Sequence, residues 1–450
     1  MQIAFITLFL GLALGSYPVQ LAVEGPVATV ELLLDGEAVA RIAGPPWSGE
    51  IDFGADLVPH ELVARALDAQ GKELARARQL INLPRPPAEV EVVLERGPEG
   101  RPAAARLVFQ SRTGAITDEA RGTLDGQPLA VGPHGRGALP SYDPASHHVL
   151  SVTLRFEDAV LARTDAVFGG RWGESVSASL TALPVQLRRG GTPSVDALQG
   201  RLLADGSVLN VVAVEEGPAE VLIVRDLGAD EALAELGKVR SGAGMSFRGG
   251  RTSVEGGRPS FDSQSARFET ALPKGDEVRF LWPVPRTFAN PGMTSELFDM
   301  SRAYTRDDGG LHWILTSVAR QSDAGKQRLA DSVAVAGLQV LAGNRRRSVI
   351  LVVGGEPKDA SRSDPAMVRR YLESIRVPLF VWAVEKGAAS SPALAAWGKV
   401  EDVSTVPKLR TAVGRLRAEL ESQRIVWVEG THLPGSIRLA PSDRSTIELP

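Results

Sequence analysis

Cysteine is absent from the 450-residue chain, which excludes disulfides and every metal or redox site built on thiolate. Histidine is scarce, at six residues, and aromatic residues make up only 5%. No charge of one sign dominates. The 50 Lys and Arg stand against 54 Asp and Glu, a net charge of −4, so nothing pulls the chain toward nucleic acid or anionic lipid. The apolar run at the N-terminus, Ile3 to Leu14, is too short to cross a membrane, so no integral membrane segment is expected. Catalytic signatures are missing as well: there is no Gly-x-Ser-x-Gly elbow, Walker loop, His-Glu-x-x-His or post-strand Gly-x-Gly-x-x-Gly. What remains is a chain with 43% hydrophobic content, long enough to bury several cores.

The last half carries the clearest pattern. Ser348 to Val353 and Val377 to Val384 are continuous apolar runs, as strands buried on both faces of a parallel sheet read, and Pro365 to Ile375 between them has helical spacing. Val221 to Val224 is an earlier buried strand, followed by a helical stretch from Glu231 to Val239. A Gly-rich loop, Ser241 to Pro259, leads to a strand at Glu277 to Pro283, and helical patterns follow at Ser295 to Tyr304, Leu311 to Gln321 and Lys326 to Ala342. Alternating strands and helices predict a doubly wound α/β domain over residues 200–423, with any ligand site beyond the carboxyl ends of the strands.

Here the sequence resembles the von Willebrand factor A (vWA) family, and in particular bacterial VWFA-related proteins with Ig-like modules ahead of that domain. The likeness rests on Val221 to Asp230 as first strand and metal loop, on Gly309-Gly310-Leu311 as second loop and on Ser348 to Glu356 as third. The resemblance implies a metal-ion-dependent adhesion site of hard oxygen ligands, Asp-x-Ser-x-Ser plus a Thr and an Asp. This chain departs from it. Asp226 is present, but Gly228 and Asp230 replace the two hydroxyls. The second loop offers no Thr, with Thr316 a turn beyond, and Glu356 follows Gly354-Gly355 where the Asp is expected. Capping of a helix start accounts for Asp226 and Asp230 without metal, and outweighs weak cation binding. No residue is therefore assigned as catalytic, cofactor-binding or metal-ligating, and no cofactor is expected.

The first half reads as short strands and turns. Leu34 to Ala40 and Leu124 to Ala130 mirror each other around Asp35-Gly36 and Asp125-Gly126, each a hairpin-turn signal. A His begins paired strands downstream of each: His60 to Ala66 with Glu73 to Ala77, and His148 to Phe156 with Val160 to Asp165, turning at Glu157-Asp158-Ala159. Two tandem Ig-like β-sandwiches are expected over residues 1–84 and 88–188, linked by Asn82 to Pro87, with a strand and polar tail over 424–450 closing the chain. Gly200 to Glu215 either closes the second sandwich or opens the α/β domain.

Ile3 to Leu14 reads either as a signal peptide, lacking its basic flank, or as the first sandwich strand, which is favoured. The Ig-like modules favour an extracytoplasmic setting. Arg345-Arg346-Arg347 reads as a solvated loop at a helix end, with a basic contact patch as the alternative. Trp282, Trp313, Trp382, Trp397 and Trp427 are expected in cores, and His147 and His148, adjacent in a strand, as one packed and one solvated imidazole. The resulting expectation is a non-enzymatic protein-interaction or adhesion-type protein whose protein partner is unknown. Two others remain: a metal-dependent hydrolase joining Asp226, Asp230 and Glu356 with His312, and a purely structural envelope component.

Overall fold

The computed structural model describes residues 2–9, 11–84, 88–111, 116–125, 127–132, 135–156, 161–169, 172–176, 180–188, 191–237, 270–290, 293–317, 324–343, 345–430, 432–440 and 447–450. The expected Gly-rich loop at Ser241 to Pro259, the turn Glu157 to Ala159 and linker residues Arg85 to Pro87 lie outside them. Among the described residues no helix is long and apolar enough to cross a membrane.

The first β-sandwich comprises β1 (Gln2–Phe5), β2 (Ser16–Glu24), β3 (Thr29–Leu34), β4 (Glu37–Ile42), β5 (Ser48–Asp52), β6 (His60–Leu67) and β7 (Glu73–Ile81). Its sheets run β1-β2-β5 and β4-β3-β6-β7. Alternation along each strand turns one set of apolar side chains inward. Ile3, Val19, Leu21 and Ile51 from one sheet meet Val30, Leu32, Leu62 and Ile81 from the other. The N-terminal apolar run thus contributes a short strand, with Ile3 and Ala13 buried in this core.

The second sandwich repeats that wiring with β8 (Ala88–Arg96), β9 (Pro102–Ser111), β10 (Ile116–Leu124), β11 (Gln127–Leu129), β12 (Arg136–Ala138), β13 (His147–Phe156), β14 (Leu161–Gly169) and β15 (Trp172–Val176). Its sheets are β12-β9-β8 and β11-β10-β13-β14-β15. The Asp-Gly turn and downstream His form the same clasp in both copies. Asp35 and Asp125 hold left-handed backbone at φ 53° and 51°, a conformation Asp tolerates through local hydrogen bonding. Asp35 Oδ2 lies 2.7 Å from His60 Nδ1, and Oδ1 accepts from Glu61 N at 2.8 Å. Asp125 Oδ2 lies 2.6 Å from His148 Nδ1, and Oδ1 accepts from Val149 N at 2.8 Å. The other ring nitrogens face carbonyls, Phe53 O at 3.2 Å and Asp143 O at 2.6 Å. At His148 only an imidazolium donates to both neighbours at once. His148 is buried as expected, while the side chain of His147 lies outside the described ones.

Burial pushes the His148 pKa down, but hydrogen bonds to Asp125 and the Asp143 carbonyl outweigh it and leave it above the ordinary 6.5. The folded state therefore binds the proton more tightly than the unfolded chain. Its contribution is full below pH 6.5 and is lost as pH rises through the raised folded value. The stability of the second sandwich is expected to fall as pH rises across that window, and His148→Phe is expected to flatten the dependence. Thermal melts of both chains in a pH series check this; parallel curves would refute it.

A third sheet pair corrects the expected domain limits. After β16 (Leu180–Leu187), α1 (Val195–Leu198), β17 (Leu202–Ala204), β18 (Ser207–Val208) and β19 (Val211–Glu215) come β20 (Ala219–Arg225), α2 (Asp230–Gly237), β21 (Glu277–Asn290) and β22 (Met293–Met300). Then follow α3 (Leu311–Ser317), α4 (Leu329–Ala342), β23 (Arg346–Val353), α5 (Pro365–Ser374), β24 (Leu379–Ala383), β25 (Val400–Asp402), α6 (Val406–Ser422), β26 (Gln423–Glu429), β27 (Ile437–Leu439) and β28 (Ile447–Glu448). β16 pairs with β26 and β28, not with the second sandwich, so it lies outside the unit expected to end at 188. The sheets β19-β26-β16-β28 and β18-β17-β27 enclose Leu183, Val185, Leu202, Val211, Val426 and Ile437. Gly200 to Glu215 thus serves this third module. So does the expected polar tail, whose β27 and β28 are strands because Ile437 and Ile447 fill its core. Residues 216–422 form an insertion between β19 and β26.

The inserted segment builds a six-stranded sheet, β22-β21-β20-β23-β24-β25, parallel from β21 to β25. Leu222, Val224, Val349 and Leu351 pack against α4 and α5 on one face. Val221, Ile223, Ile350 and Val352 pack against α2, α3 and α6 on the other. The helix expected at Ser295 to Tyr304 is instead edge strand β22, because the extension of β21 from Pro285 to Asn290 supplies an antiparallel partner. Trp313 is 50% exposed, against expectation. Leu311, Ile314 and Leu315 take the inner stripe of α3 and leave Trp313 on the outer one. Trp382, Trp397 and Trp427 are buried.

The first sandwich also touches this unit. Leu57 and Leu83 enter the cluster under α5, and buried Tyr371 donates from its hydroxyl to Asn82 O at 2.9 Å.

Candidate functional site

The parallel strands β20, β23 and β24 end together, and their following residues make the carboxyl-end face. β20 runs out at Arg225, and Asp226 caps a short 3-10 turn, Leu227–Ala229, accepting from Gly228 N at 2.8 Å. Asp226 is only 1% exposed. Its Oδ1 also accepts from Gln327 Nε2 at 2.8 Å, and its Oδ2 from Gly354 N at 3.0 Å. Capping, one of the two readings of Asp226, is therefore what this carboxylate does, with two further donors added.

Gln327 was invisible to sequence reasoning. Its side chain is 1% exposed, donates a second hydrogen bond to Lys358 O at 2.6 Å, and accepts from Leu227 N at 2.9 Å. Just beyond it, Asp359 caps α4 by accepting from Leu329 N at 2.8 Å and Ala330 N at 3.1 Å. Asp331 in turn accepts from Arg362 N at 3.0 Å and Ser363 N at 3.1 Å. Burial pushes the Asp331 carboxyl up, but these bonds and Arg328 hold it below the ordinary carboxylate range. The segment 354–363 is thereby lashed to the start of α4.

The other expected residues go elsewhere. Asp230 is ion-paired with Arg225, a 2% exposed guanidinium that also reaches Leu315 O at 3.3 Å and lies 5.7 Å from the Trp282 ring. Glu356 is exposed. His312 is buried with Nε2 3.0 Å from Leu236 O, tying α3 to α2, and Thr316 Oγ1 donates back to His312 O at 3.0 Å. Gly309 to Leu311 sit beside Val278, at the opposite, amino end of the sheet, so they do not form a second loop around Asp226. The carboxylate that does approach is Glu385, just after β24, which accepts from Gly355 N at 3.0 Å. Its position after a buried strand was the only available signal. Among the described residues no group of three His, Asp or Glu is arranged to hold a metal ion.

The basic triplet is not a solvated loop. Arg346 and Arg347 begin β23 and are 7% and 0% exposed, because the strand starts ahead of the apolar run. Neither provides a basic surface patch. Arg345 alone stays at the rim, 3.5 Å from Glu277.

No family model and no curated protein matches the chain. Among solved structures it is similar to the fibronectin(III)-like modules of Clostridium thermocellum CbhA, at 13% identity over 38% of this chain and 94% of that one, TM-score 0.16. The central fibronectin-III array of RIM-binding protein matches at 13% identity over 46% and 78%, TM-score 0.21. Proximal thread matrix protein 1 from the mussel byssus matches at 14% identity over 53% and 50%, TM-score 0.26. Fibronectin-III modules share the sandwich architecture. At these scores the likenesses assign no function.

Proposed function

We propose that the chain is a non-enzymatic protein-interaction protein, in which a degenerate vWA-type domain presents the carboxyl-end loops of its sheet and β-sandwich modules carry it. The observation behind this reading is the state of Asp226. The one acidic residue kept at the resembled site is buried and bonded to three protein donors, which suits a rigid recognition face better than chemistry. The doubly wound order, with β20 central and its crossover helices on both faces, supports the A-type assignment. Around the closed hub, Glu356, Lys358, Glu385 and Lys386 are exposed, a mixed-charge rim of the kind that steers a protein partner.

Photo-crosslinking residues introduced at Glu356 and at Lys386 test this reading in cells of the source organism. A protein crosslinked from both positions, and lost in a Lys358→Glu, Glu385→Arg chain of unchanged melting temperature, is the expected result. Crosslinks indifferent to those substitutions, or metal-dependent ester hydrolysis abolished by Asp226→Asn, would overturn it.

A further inference from the structure

We infer that the side-chain amide of Gln327 stands where the resembled adhesion site holds its cation, closing the carboxyl-end loops around Asp226 without metal. The inference rests on the A-type reading and deepens it, since it makes recognition at this face independent of divalent ions.

A divalent cation of this class needs outward-facing oxygen lone pairs in near-octahedral array. Asp226 has three donors on its two oxygens: Gly228 N and Gln327 Nε2 on Oδ1, and Gly354 N on Oδ2. Those donors occupy carboxylate lone pairs that a metal would need. The remaining ligand positions do not fit an ion either. Gly228 brings no hydroxyl, and Asp230 is held by the Arg225 guanidinium, whose fixed positive charge opposes a second cation. Glu385 spends Oε2 on Gly355 N.

Gln327 supplies what the ion would supply mechanically. One amide joins Asp226 and Leu227 N of the first loop to Lys358 O of the third, while its own backbone leads into α4. Both of its N–H donors and its oxygen are used, and the side chain is buried. Unlike a bound ion, this crosslink cannot be stripped by a chelator or vary with ion concentration.

The test uses the full chain after chelator treatment. Calorimetric titration of Mg²⁺ and of Mn²⁺ is expected to give no saturable heat, and the melting temperature is expected to be equal in chelator and in Mn²⁺. Gln327→Ala leaves the buried Leu227 N without its acceptor, takes one donor each from Asp226 Oδ1 and Lys358 O, and is expected to lower melting by at least ~4 °C. Saturable Mg²⁺ or Mn²⁺ binding that Asp226→Asn abolishes would overturn the inference, as would a Gln327→Ala chain that melts with the wild type. The wild-type titration decides even where Gln327→Ala fails to fold, a failure that would itself match the expected loss of stability. Failure of the A-type reading shows up separately, as crosslinks at Glu356 and Lys386 that ignore the loop substitutions while the titration stays silent.

Discussion

Arg346→Ala is expected to destabilise the helix-flanked sheet by ~3–5 kcal/mol, the cost of breaking a buried ion pair from one side. Arg346 Nε donates to Gly217 O at 2.6 Å and Nη1 to Leu420 O at 2.7 Å, while Nη2 lies 3.3 Å from Asp276 Oδ1. Gly217 lies on the way in from the third sandwich, and Leu420 lies in the last turn of α6, on the way out. One guanidinium therefore holds both crossings between the two units. Asp276, 1% exposed, would be left buried with Ala219 N, at 2.8 Å, as the one partner of its carboxylate among the described residues.

The pH dependence separates lost charge pairing from lost packing. Burial already pushes the Asp276 carboxyl above its ordinary value, against the pull of the Ala219 N–H and Arg346. Without Arg346 that rise grows, so protonation favours the folded variant and its deficit should shrink as pH falls. Urea denaturation of both chains at neutral and acidic pH measures the difference. Proteolysis at residues 216–218 should accelerate in the variant. A deficit below ~1 kcal/mol that is flat in pH would refute the clamp.

These contacts also explain what could be read from the chain and what could not. The Asp-Gly turns and their downstream His residues are local signals, and they repeat at similar offsets, 25 and 23 residues, so two sandwiches were legible. A third turn, Asp205-Gly206 at φ 49° and 79°, pairs its strand with Ile437 across the whole insertion. Thr181 and His432, 251 residues apart, are hydrogen-bonded neighbours. No periodicity within a window reports such a pairing, which is why the sequence assigns the third module's strands to the second sandwich, to the α/β domain and to a C-terminal strand and tail. Continuous apolar runs gave β20, β23 and β24, and with them the position of Asp226. Gln327 carried no signal, because a lone Gln ahead of an amphipathic helix reads as a polar flank. Arg346 and Arg347 misled for a physical reason: Arg is rarely buried, and the pairing of β23 with β20 begins at Arg346, before hydrophobicity does.

Arg347 should behave oppositely to its neighbour. It is fully buried, and none of its three guanidinium nitrogens has a partner among the described residues. Burial alone pushes its pKa down to about 9. Its backbone is satisfied by Gln423, whose Oε1 accepts from Arg347 N at 2.9 Å and whose Nε2 donates to Arg347 O at 3.2 Å, so the side chain is not needed to hold the strand. By strand alternation it shares a face with Val349 and Leu351, under α4 and α5. A charge in that position contributes packing through its stem and a desolvation cost through its head. Arg347→Met keeps an unbranched side chain of similar length and removes the charge, so it is expected to raise stability by ~1–4 kcal/mol. Arg347→Ala removes the stem as well, leaves a cavity, and is expected to fall below Arg347→Met by ~2–5 kcal/mol. Urea midpoints of the two variants against wild type settle the matter. A loss of stability in Arg347→Met would mean that the guanidinium has a partner, and that the buried arginine anchors the sheet instead of straining it.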